Sequence, residues 1–343
     1  MPASAGYLRS AESIILSRPI EREACSPCGC PWPGMDDAEG EGAPGSTGHE
    51  TRRDAMSITI IDGDFSDYRP AFSPDGKRIV FERTILGTGV TKLWIVDRET
   101  GVSRPFLKPG TGPEMQTRAD WSFAGNDLVA FAGGNAAGPL SIWIVKGDGT
   151  GCLQVPGTEK MIYPAWYPDG EHLAVMVVGA APYTARIDLA GKAERITPLS
   201  VYAGMPSVNQ ADGKTIAFAG QPVYGQEYNQ NNNNVWTFDP ATPEVAPKLF
   251  NPGQGRAPWW SQDGKKIAFE SNFQGGSPEG YAIYLAPASG GKAKRLTDPR
   301  LGAQHPKFSQ SGEEIVFALR SDPDQPKSPW RIGFLDLGAP SPN

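Results

Sequence analysis

A short phrase returns six times along the chain, and it constrains the fold more than any other feature. Each copy begins at a proline or small residue, passes through an aromatic or apolar position, and ends in a polar turn that closes on glycine before an apolar run. The closing glycines are Gly76, Gly125, Gly170, Gly213, Gly264 and Gly312, spaced 49, 45, 43, 51 and 48 residues apart. Repeats of about 40–50 residues built from short strands are typical of propeller blades. The sequence therefore predicts an all-β, six-bladed β-propeller.

Each repeat contains signals for four strands. The phrase itself is the first strand, and the Asp-Gly pair that ends most copies predicts a hairpin, because glycine adopts positive φ without strain. The apolar runs that follow, such as residues 79–81 and 267–269, are too short for a buried helix and predict second strands. A third strand such as 93–96 and a weaker fourth strand such as 193–197 complete the blade.

The two ends of the repeat array complement each other. The sixth repeat runs out after a third strand near Phe334, whereas residues 56–61, ahead of the first repeat, align with the fourth-strand segments. We therefore predict that this N-terminal strand completes the last blade and closes the ring, which removes two exposed sheet edges. Residues 56–338 then form the propeller, and 339–343 are a short C-terminal tail.

Residues 1–55 differ in composition from the repeats. They are rich in Gly, Pro, Ser and acidic residues, which is typical of a flexible segment. Two interpretations stay open: a disordered extension, or an untranslated stretch upstream of a natural start at Met56. Cys25, Cys28, Cys30 and His49 could in principle ligate zinc, but their spacing matches no structural zinc motif. We expect neither a metal nor another cofactor.

Charge and hydropathy narrow the possible partners and location. The net charge of −6 argues against nucleic acid as the main partner. No stretch approaches the length of a membrane span, and the longest apolar run before the repeats, 14–16, is too short for a signal peptide. Cys152, unpaired within the propeller, suits a reducing compartment. We expect a cytoplasmic monomer without a membrane partner.

The phrases at 72–76, 166–170 and 260–264, each followed by a short apolar strand, resemble TolB-type repeats of the WD40-like propeller families. The resemblance covers essentially all of 56–338 and implies a propeller fold. TolB proteins are periplasmic and have protein partners. Similar repeats form the gating propellers of prolyl-oligopeptidase-like enzymes, whose hydrolase domain carries a Gly-x-Ser-x-Gly motif that this chain lacks. They also resemble oligogalacturonate lyases, which hold a metal through several histidines; this propeller has two, His172 and His305.

Propeller geometry predicts where a ligand binds. The residue just before each first strand surrounds one mouth of the channel, opposite the Asp-Gly hairpins, and residues just after each second strand surround these in turn. Channel mouths are common ligand sites. The first set is Arg69, Arg118, Tyr163, Met205, Ala257 and His305. The second set includes Glu82, Arg83, Gln221, Glu270, Asn272 and Arg320. We predict ligand contacts from Arg69, Glu82, Arg118, Tyr163, Gln221, Trp259, Glu270, Asn272, His305 and Arg320.

Each of these residues also has a simpler interpretation. Arg69 and Arg118 either hold a carboxylate or phosphate by bidentate hydrogen bonds, or pair with acidic neighbours in a solvated network. His305 is either a polar rim residue or the candidate catalytic group, as a general base or a metal ligand. Trp259 alternates with the buried Trp260 and so is predicted to line the channel. The loop 224–234 is either a polar connection or a lid.

Two classes of function follow. The first is a binding propeller that uses the channel mouth to hold a protein partner or a small polar or anionic ligand. The alternative is a lyase or hydrolase that acts on an anionic or sugar-like substrate at the same mouth, with or without a metal. The mixed ring of Arg, Glu, His and Tyr favours a ligand site, while the lack of a nucleophile–base or multi-histidine signature argues against an enzyme.

Overall fold

The computed structural model describes residues 56–58, 65–242, 248–249, 254–273, 280–325 and 327–338. They form six antiparallel four-stranded sheets, so the predicted six-bladed β-propeller is confirmed. In each of the first five blades the strands pair in chain order. Apart from strands, the described residues contain two single-turn 3₁₀ helices, Gln230–Asn232 and Pro299–Leu301. The segments 1–55 and 339–343, with the candidate zinc ligands at Cys25, Cys28, Cys30 and His49, lie outside the described residues.

The strands are numbered in chain order, four to a blade. Blade 1 contains β2 (Phe65–Phe72), β3 (Arg78–Ile85), β4 (Thr91–Asp97) and β5 (Ser103–Pro105). Blade 2 contains β6 (Met115–Trp121), β7 (Leu128–Gly134), β8 (Ser141–Lys146) and β9 (Leu153–Gln154). Blade 3 contains β10 (Met161–Trp166), β11 (His172–Val177), β12 (Tyr183–Asp188) and β13 (Ala193–Arg195).

The remaining blades follow the same plan. Blade 4 contains β14 (Val201–Val208), β15 (Ile216–Pro222), β16 (Asn234–Phe238) and β17 (Lys248–Leu249). Blade 5 contains β18 (Arg256–Trp260), β19 (Lys266–Ser271), β20 (Ala282–Pro287) and β21 (Lys294–Arg295). Blade 6 contains β22 (Gln304–Phe308), β23 (Glu314–Arg320), β24 (Trp330–Asp336) and, as its outer strand, β1 (Met56–Ile58).

The ring closes as predicted. Strand β1 pairs antiparallel with β24, with Met56 opposite Leu335 and Ile58 opposite Gly333. The last blade therefore takes its fourth strand from the N-terminal side of the chain, and β24 has no open edge along these three residues. A ring closed in this way makes the first and last blades depend on each other.

The core consists of six apolar clusters, one at each interface between neighbouring blades. The second strands contribute continuous apolar runs, because each second strand is covered on both faces by adjacent blades. Ile79, Val80 and Phe81 of β3, for example, are fully buried. The tryptophans of the first strands, Trp121, Trp166 and Trp260, are also buried. Burial on both faces explains why these runs lack the alternation of a half-exposed strand.

The hairpins fix the two faces of the disk. Gly76, Gly170, Gly213 and Gly264 close the turns between first and second strands with φ values of 62–68°, in the left-handed region that favours glycine. We call the face formed by these turns the hairpin face. The opposite face, where the first strands begin, is the mouth face.

Candidate functional site

Six residues with left-handed backbone form a ring in the channel. Non-glycine residues rarely adopt positive φ, yet all six blades place one at the same point of the first strand. We call this set the channel ring: Arg69, Arg118, Tyr163, Met205, Ala257 and His305, with φ of 46, 57, 55, 50, 45 and 54°. The sequence predicted that these six residues lie just before the first strands and surround the channel mouth. The structure places each of them inside its first strand.

A β-bulge explains the ring in each blade. In all six first strands the pairing register shifts at the ring position, as between Tyr68 and Ala71 in blade 1. The residue after the ring position is proline in five blades and Ala119 in blade 2. Proline is tolerated there because a bulge interrupts the ladder and needs no N–H donor. Each left-handed residue costs about 1–2 kcal/mol, and such strain often accompanies function.

The ring lines a cavity of about 450 Å³, including the space that opens to solvent. Its wall is mostly apolar and is completed by the residues that follow the ring positions, with Trp259 and Lys307 one step deeper. The charged members, Arg69 and Arg118, come from adjacent blades 1 and 2, whereas Met205 and Ala257 come from blades 4 and 5. The cavity therefore has a cationic side and an apolar side.

Glu82 organises the cationic side. It is buried within β3, and its Oε2 accepts a hydrogen bond from Nη1 of Arg69 at 2.9 Å. Its Oε1 accepts from the Thr117 hydroxyl and from the backbone N–H of Arg118, both at 2.6 Å. The bulge frees that N–H from the sheet, and a buried N–H needs a partner. Glu82 thus supports two ring residues from beneath.

The next feature is the environment of the Arg118 guanidinium. Within the described residues, no acidic oxygen lies within 4.0 Å of its guanidinium. Its Nη1 donates to the Thr117 hydroxyl at 3.2 Å, and its guanidinium lies 4.6 Å from the Tyr163 ring centre. Its Nε is buried without a hydrogen-bond partner. Among the cations that the structure describes around the cavity, Arg118 is the one without a carboxylate partner.

Tyr163 lies between the two arginines. Arg69 donates from Nη2 to the phenol oxygen at 3.5 Å, and Arg118 packs against the ring. Burial acts to raise the pKa of Tyr163, but the combined positive charges of Arg69 and Arg118 outweigh it and lower the pKa overall. Because both guanidinium groups stabilise the phenolate, Tyr163 is a stronger acid than a tyrosine in water.

A second buried carboxylate, Glu270, repeats this arrangement in blade 5. Its Oε1 accepts from Nε and Nη2 of Arg256 at 3.0 and 2.9 Å, and its Oε2 accepts from the backbone N–H of His305 at 2.7 Å. The His305 ring packs edge-on against Tyr68 and stacks with Tyr163. Burial, followed by the positive charges of Arg69 and Arg256, holds the pKa of His305 well below its ordinary value. His305 is therefore neutral at pH 7.

One step deeper, Lys307 bridges blades that are not neighbours. Its ammonium, from blade 6, donates to Asp120 Oδ1 and to the Ala119 carbonyl in blade 2, both at 2.9 Å. It also lies 4.1 Å from the Trp259 ring centre in blade 5. The other oxygen of Asp120, Oδ2, accepts a hydrogen bond from the backbone N–H of Trp166 at 3.0 Å. These side chains form a floor under the cavity, and Trp259 meets the lysine through its ring face.

Five of the predicted contact residues are absent from the cavity wall. Two of them, Glu82 and Glu270, hold ring residues by hydrogen bonds. The other three are Gln221, Arg320 and Asn272. The Gln221 amide is buried and pairs with the backbone of Asn229 in the loop 224–234. Arg320 donates to the Ser328 carbonyl at 2.7 Å and stacks on Trp330. Asn272 follows the end of β19 and also has contacts of its own. Any role for these three in ligand binding stays a prediction.

The position of Arg83, from the predicted second set, also differs from the prediction. Instead of reaching the mouth, Arg83 is buried in a bidentate pair with Asp67, both bonds 2.7 Å, and lies over the Phe65 ring. Two cations near the cavity were not predicted as contacts: Lys307, which lies in its wall, and Arg256, which pairs with Glu270 and is absent from the wall. A signal for Lys307 exists in the sequence: two residues past the ring position, blades 2 and 6 carry the opposite charges of Asp120 and Lys307.

No metal centre is formed by the residues that the structure describes, since no three of their His, Cys, Asp or Glu side chains cluster suitably. His172 lies on the hairpin face, where its Nδ1 is 2.8 Å from Asp169 Oδ2. Cys152 is half-buried with a free thiol, and burial raises its pKa to about 11. Within the described residues, no helix is long and apolar enough to cross a membrane.

Solved structures with the same architecture include a TolB of Agrobacterium tumefaciens, at a TM-score of 0.59 and 13% identity over 82% of this chain and 94% of that one. The chain has a TolB-type propeller fold. An oligogalacturonate lyase of Vibrio parahaemolyticus aligns at a TM-score of 0.52 and 11% identity, over 84% of this chain and 95% of that one. At these identities the likeness describes the fold alone.

Sequence comparison adds a relative that is similar over part of the chain. Over 108 residues the chain is 30% identical to YuxL of Bacillus subtilis, described as an uncharacterised peptidase. The match covers 32% of this chain and only 16% of that protein. No protein-family model matches the chain.

Proposed function

We propose that the protein binds a small anionic ligand in the cavity of the channel ring, with Arg118 as its principal contact. The observation that carries the proposal is the uncompensated guanidinium of Arg118, which lines the cavity and has a buried Nε without a partner. A partly desolvated guanidinium offers a carboxylate or phosphate charge-assisted hydrogen bonds in a planar geometry.

The balance of charge around the cavity supports an anion rather than a cation. The cations are Arg69, Arg118, Arg256 and Lys307, and the carboxylates are Glu82, Glu270 and Asp120. Both oxygens of each carboxylate already accept hydrogen bonds from the protein. An incoming ligand therefore meets unused donors and one excess positive charge.

Catalysis at the same mouth is the second candidate function. The lowered pKa of the Tyr163 phenol is the observation that favours it. A phenol of lowered pKa held between Arg69 and Arg118 could transfer a proton to or from a bound anion, with the neutral His305 stacked beside it. A lyase or hydrolase acting on an anionic or sugar-like substrate would use these groups. The solved oligogalacturonate lyase and the relative described as a peptidase are consistent with this class.

Isothermal titration with acetate and inorganic phosphate tests the binding proposal on the full chain. We expect Arg118→Gln to weaken the binding of whichever anion binds by at least tenfold, because a charge-assisted hydrogen-bond pair contributes roughly 1.5–3 kcal/mol. Lys77→Gln removes one positive charge from an exposed side chain on the hairpin face and serves as the charge-matched control. Equal losses in both variants would assign the effect to net charge and refute the site.

A further inference from the structure

The two sides of the cavity constrain the shape of the ligand as well as its charge. The polar groups of the cavity wall come from Arg69, Arg118 and Tyr163 in three consecutive blades and from His305 and Lys307 in blade 6, which adjoins blade 1. Met205 and Ala257, from blades 4 and 5, face the channel with partly exposed side chains on the other side. A ligand that fills the cavity must present an anionic group to the first side and an apolar surface to the second.

The number of uncompensated charges limits the charge of the ligand. Arg69 is paired with Glu82, Arg256 with Glu270 and Lys307 with Asp120. Since His305 is neutral, the excess charge of the site is the single positive charge of Arg118. A singly charged anion neutralises the site, whereas a dianion would leave a buried, unpaired negative charge at a large desolvation cost.

The prolines beside the ring positions enlarge the apolar surface. Pro70, Pro164, Pro206, Pro258 and Pro306 all line the cavity behind the ring residues. The ring face of Trp259 is already in contact with the Lys307 ammonium. Apolar contact with a ligand therefore comes mainly from Met205, Ala257 and the prolines rather than from stacking on the indole. Since the cavity volume of about 450 Å³ includes space that opens to solvent, the enclosed part suits a small molecule rather than a long chain.

From this arrangement we infer that the ligand is a small monocarboxylate that carries an aromatic or branched aliphatic group. This inference rests on the proposed binding of an anion at Arg118 and names its chemical class. The carboxylate lies against Arg118 and near the Tyr163 hydroxyl, and the apolar group fills the side formed by Met205 and Ala257. The planar guanidinium matches the two oxygens of a carboxylate.

Four probe compounds measure separately how the charge and the apolar group of the ligand contribute to affinity. These are 3-phenylpropionate, acetate, 3-phenylpropanamide and inorganic phosphate, each titrated calorimetrically into the full-length protein. We expect 3-phenylpropionate to bind at least tenfold more tightly than acetate, because burial of a phenyl group adds a large hydrophobic contribution. We also expect 3-phenylpropionate to bind at least tenfold more tightly than the amide, because the amide lacks the charge. The same difference is expected relative to phosphate, because phosphate lacks the apolar group.

Two substitutions assign the two ends of the ligand. Met205→Asn makes the apolar side of the cavity polar. Asparagine tolerates the positive φ of this position, so the backbone can stay as it is. We expect it to weaken 3-phenylpropionate several-fold and to leave acetate unchanged, whereas Arg118→Gln weakens both. A thermal melt of each variant checks that the fold is intact.

The outcomes distinguish this inference from the proposal on which it depends. If acetate or phosphate binds as tightly as 3-phenylpropionate and Arg118→Gln abolishes that binding, the anion site stands and the amphipathic class is refuted. If the amide binds as tightly as the acid, or if none of the four probes binds, both are refuted. Unchanged affinity of 3-phenylpropionate in Met205→Asn also overturns the assignment of the apolar side.

Discussion

The blade interfaces and the channel ring use the same repeat in opposite ways. At the interfaces the six repeats agree: each second strand supplies a buried apolar run, and six similar clusters result. At the ring the backbone is again repeated six times, but the side chains are Arg, Arg, Tyr, Met, Ala and His. Positions where the repeats agree maintain the fold, and positions where only the backbone agrees create a site with distinct sides.

The two buried carboxylates show the same contrast on a smaller scale. Glu82 and Glu270 occupy matching positions in blades 1 and 5, and each accepts the freed N–H of a ring residue in the next blade. Glu82 also holds a ring arginine, Arg69, whereas Glu270 holds Arg256, one residue before the ring. A shared structural role is therefore combined with different effects on the charge inside the cavity.

The largest effect is expected from opening the ring. A chain that begins at residue 63 loses β1 and leaves the β24 edge unpaired, whereas a chain that begins at Met56 retains the pairing. We expect the shorter chain to unfold or aggregate, because an open edge strand promotes association. Thermal melting and size-exclusion chromatography compare the two, and equal stability would contradict the ring closure.

The next largest effect is the difference in stability loss between a substitution at a blade interface and one in the channel ring. Phe81→Ala removes a fully buried side chain between blades 6 and 1 and should lower the free energy of unfolding by about 3–5 kcal/mol. Met205→Ala, in the ring, should change it by less than about 1.5 kcal/mol, since the side chain is partly exposed to the channel. Urea denaturation measures both. A larger loss at Met205 would show that the ring is part of the core.

Substitution of the two carboxylates sharpens the comparison between them. Glu82→Gln and Glu270→Gln should each destabilise the fold by about 3 kcal/mol, because a buried guanidinium loses its partner. Glu82→Gln also releases the charge of Arg69 in the cavity, so we expect it to strengthen binding of 3-phenylpropionate severalfold. Glu270→Gln changes binding less, as Arg256 is absent from the cavity wall. Equal gains in affinity would remove the distinction between them.

A smaller effect follows from the buried His305. Its pKa is lowered in the folded state, so below the ordinary histidine pKa the unfolded chain binds a proton that the folded chain does not. Stability contributed by this group is therefore present above about pH 6.5 and falls by up to about 1.4 kcal/mol per pH unit below it. His305→Asn, which tolerates positive φ, should flatten this part of the profile. Parallel profiles in urea denaturation from pH 7 to 5 would contradict it.

Most of the fold could be predicted from the sequence, because glycine spacing and apolar runs are local signals of a repeated unit. The members of the channel ring could also be predicted, since they occupy equivalent positions in the repeat, although they lie within the first strands rather than before them. The pairing within the site could not: Arg69 and Arg118 are equivalent in the repeat, and only the packed structure gives Glu82 to one side chain and leaves the other uncompensated. Lys307 reaches across to Asp120, a contact between side chains 187 residues apart. The repeat places these opposite charges at matching positions, but only the packed structure shows that the two side chains meet.

The most direct test of the central claim is a crystal structure with bound 3-(4-bromophenyl)propionate, located by the anomalous signal of bromine. The account predicts the carboxylate within hydrogen-bonding distance of the Arg118 guanidinium and the bromine on the side of Met205 and Ala257. A ligand in the reverse orientation would contradict the two-sided site, and a bromine signal confined to the hairpin face would contradict binding at the channel ring altogether.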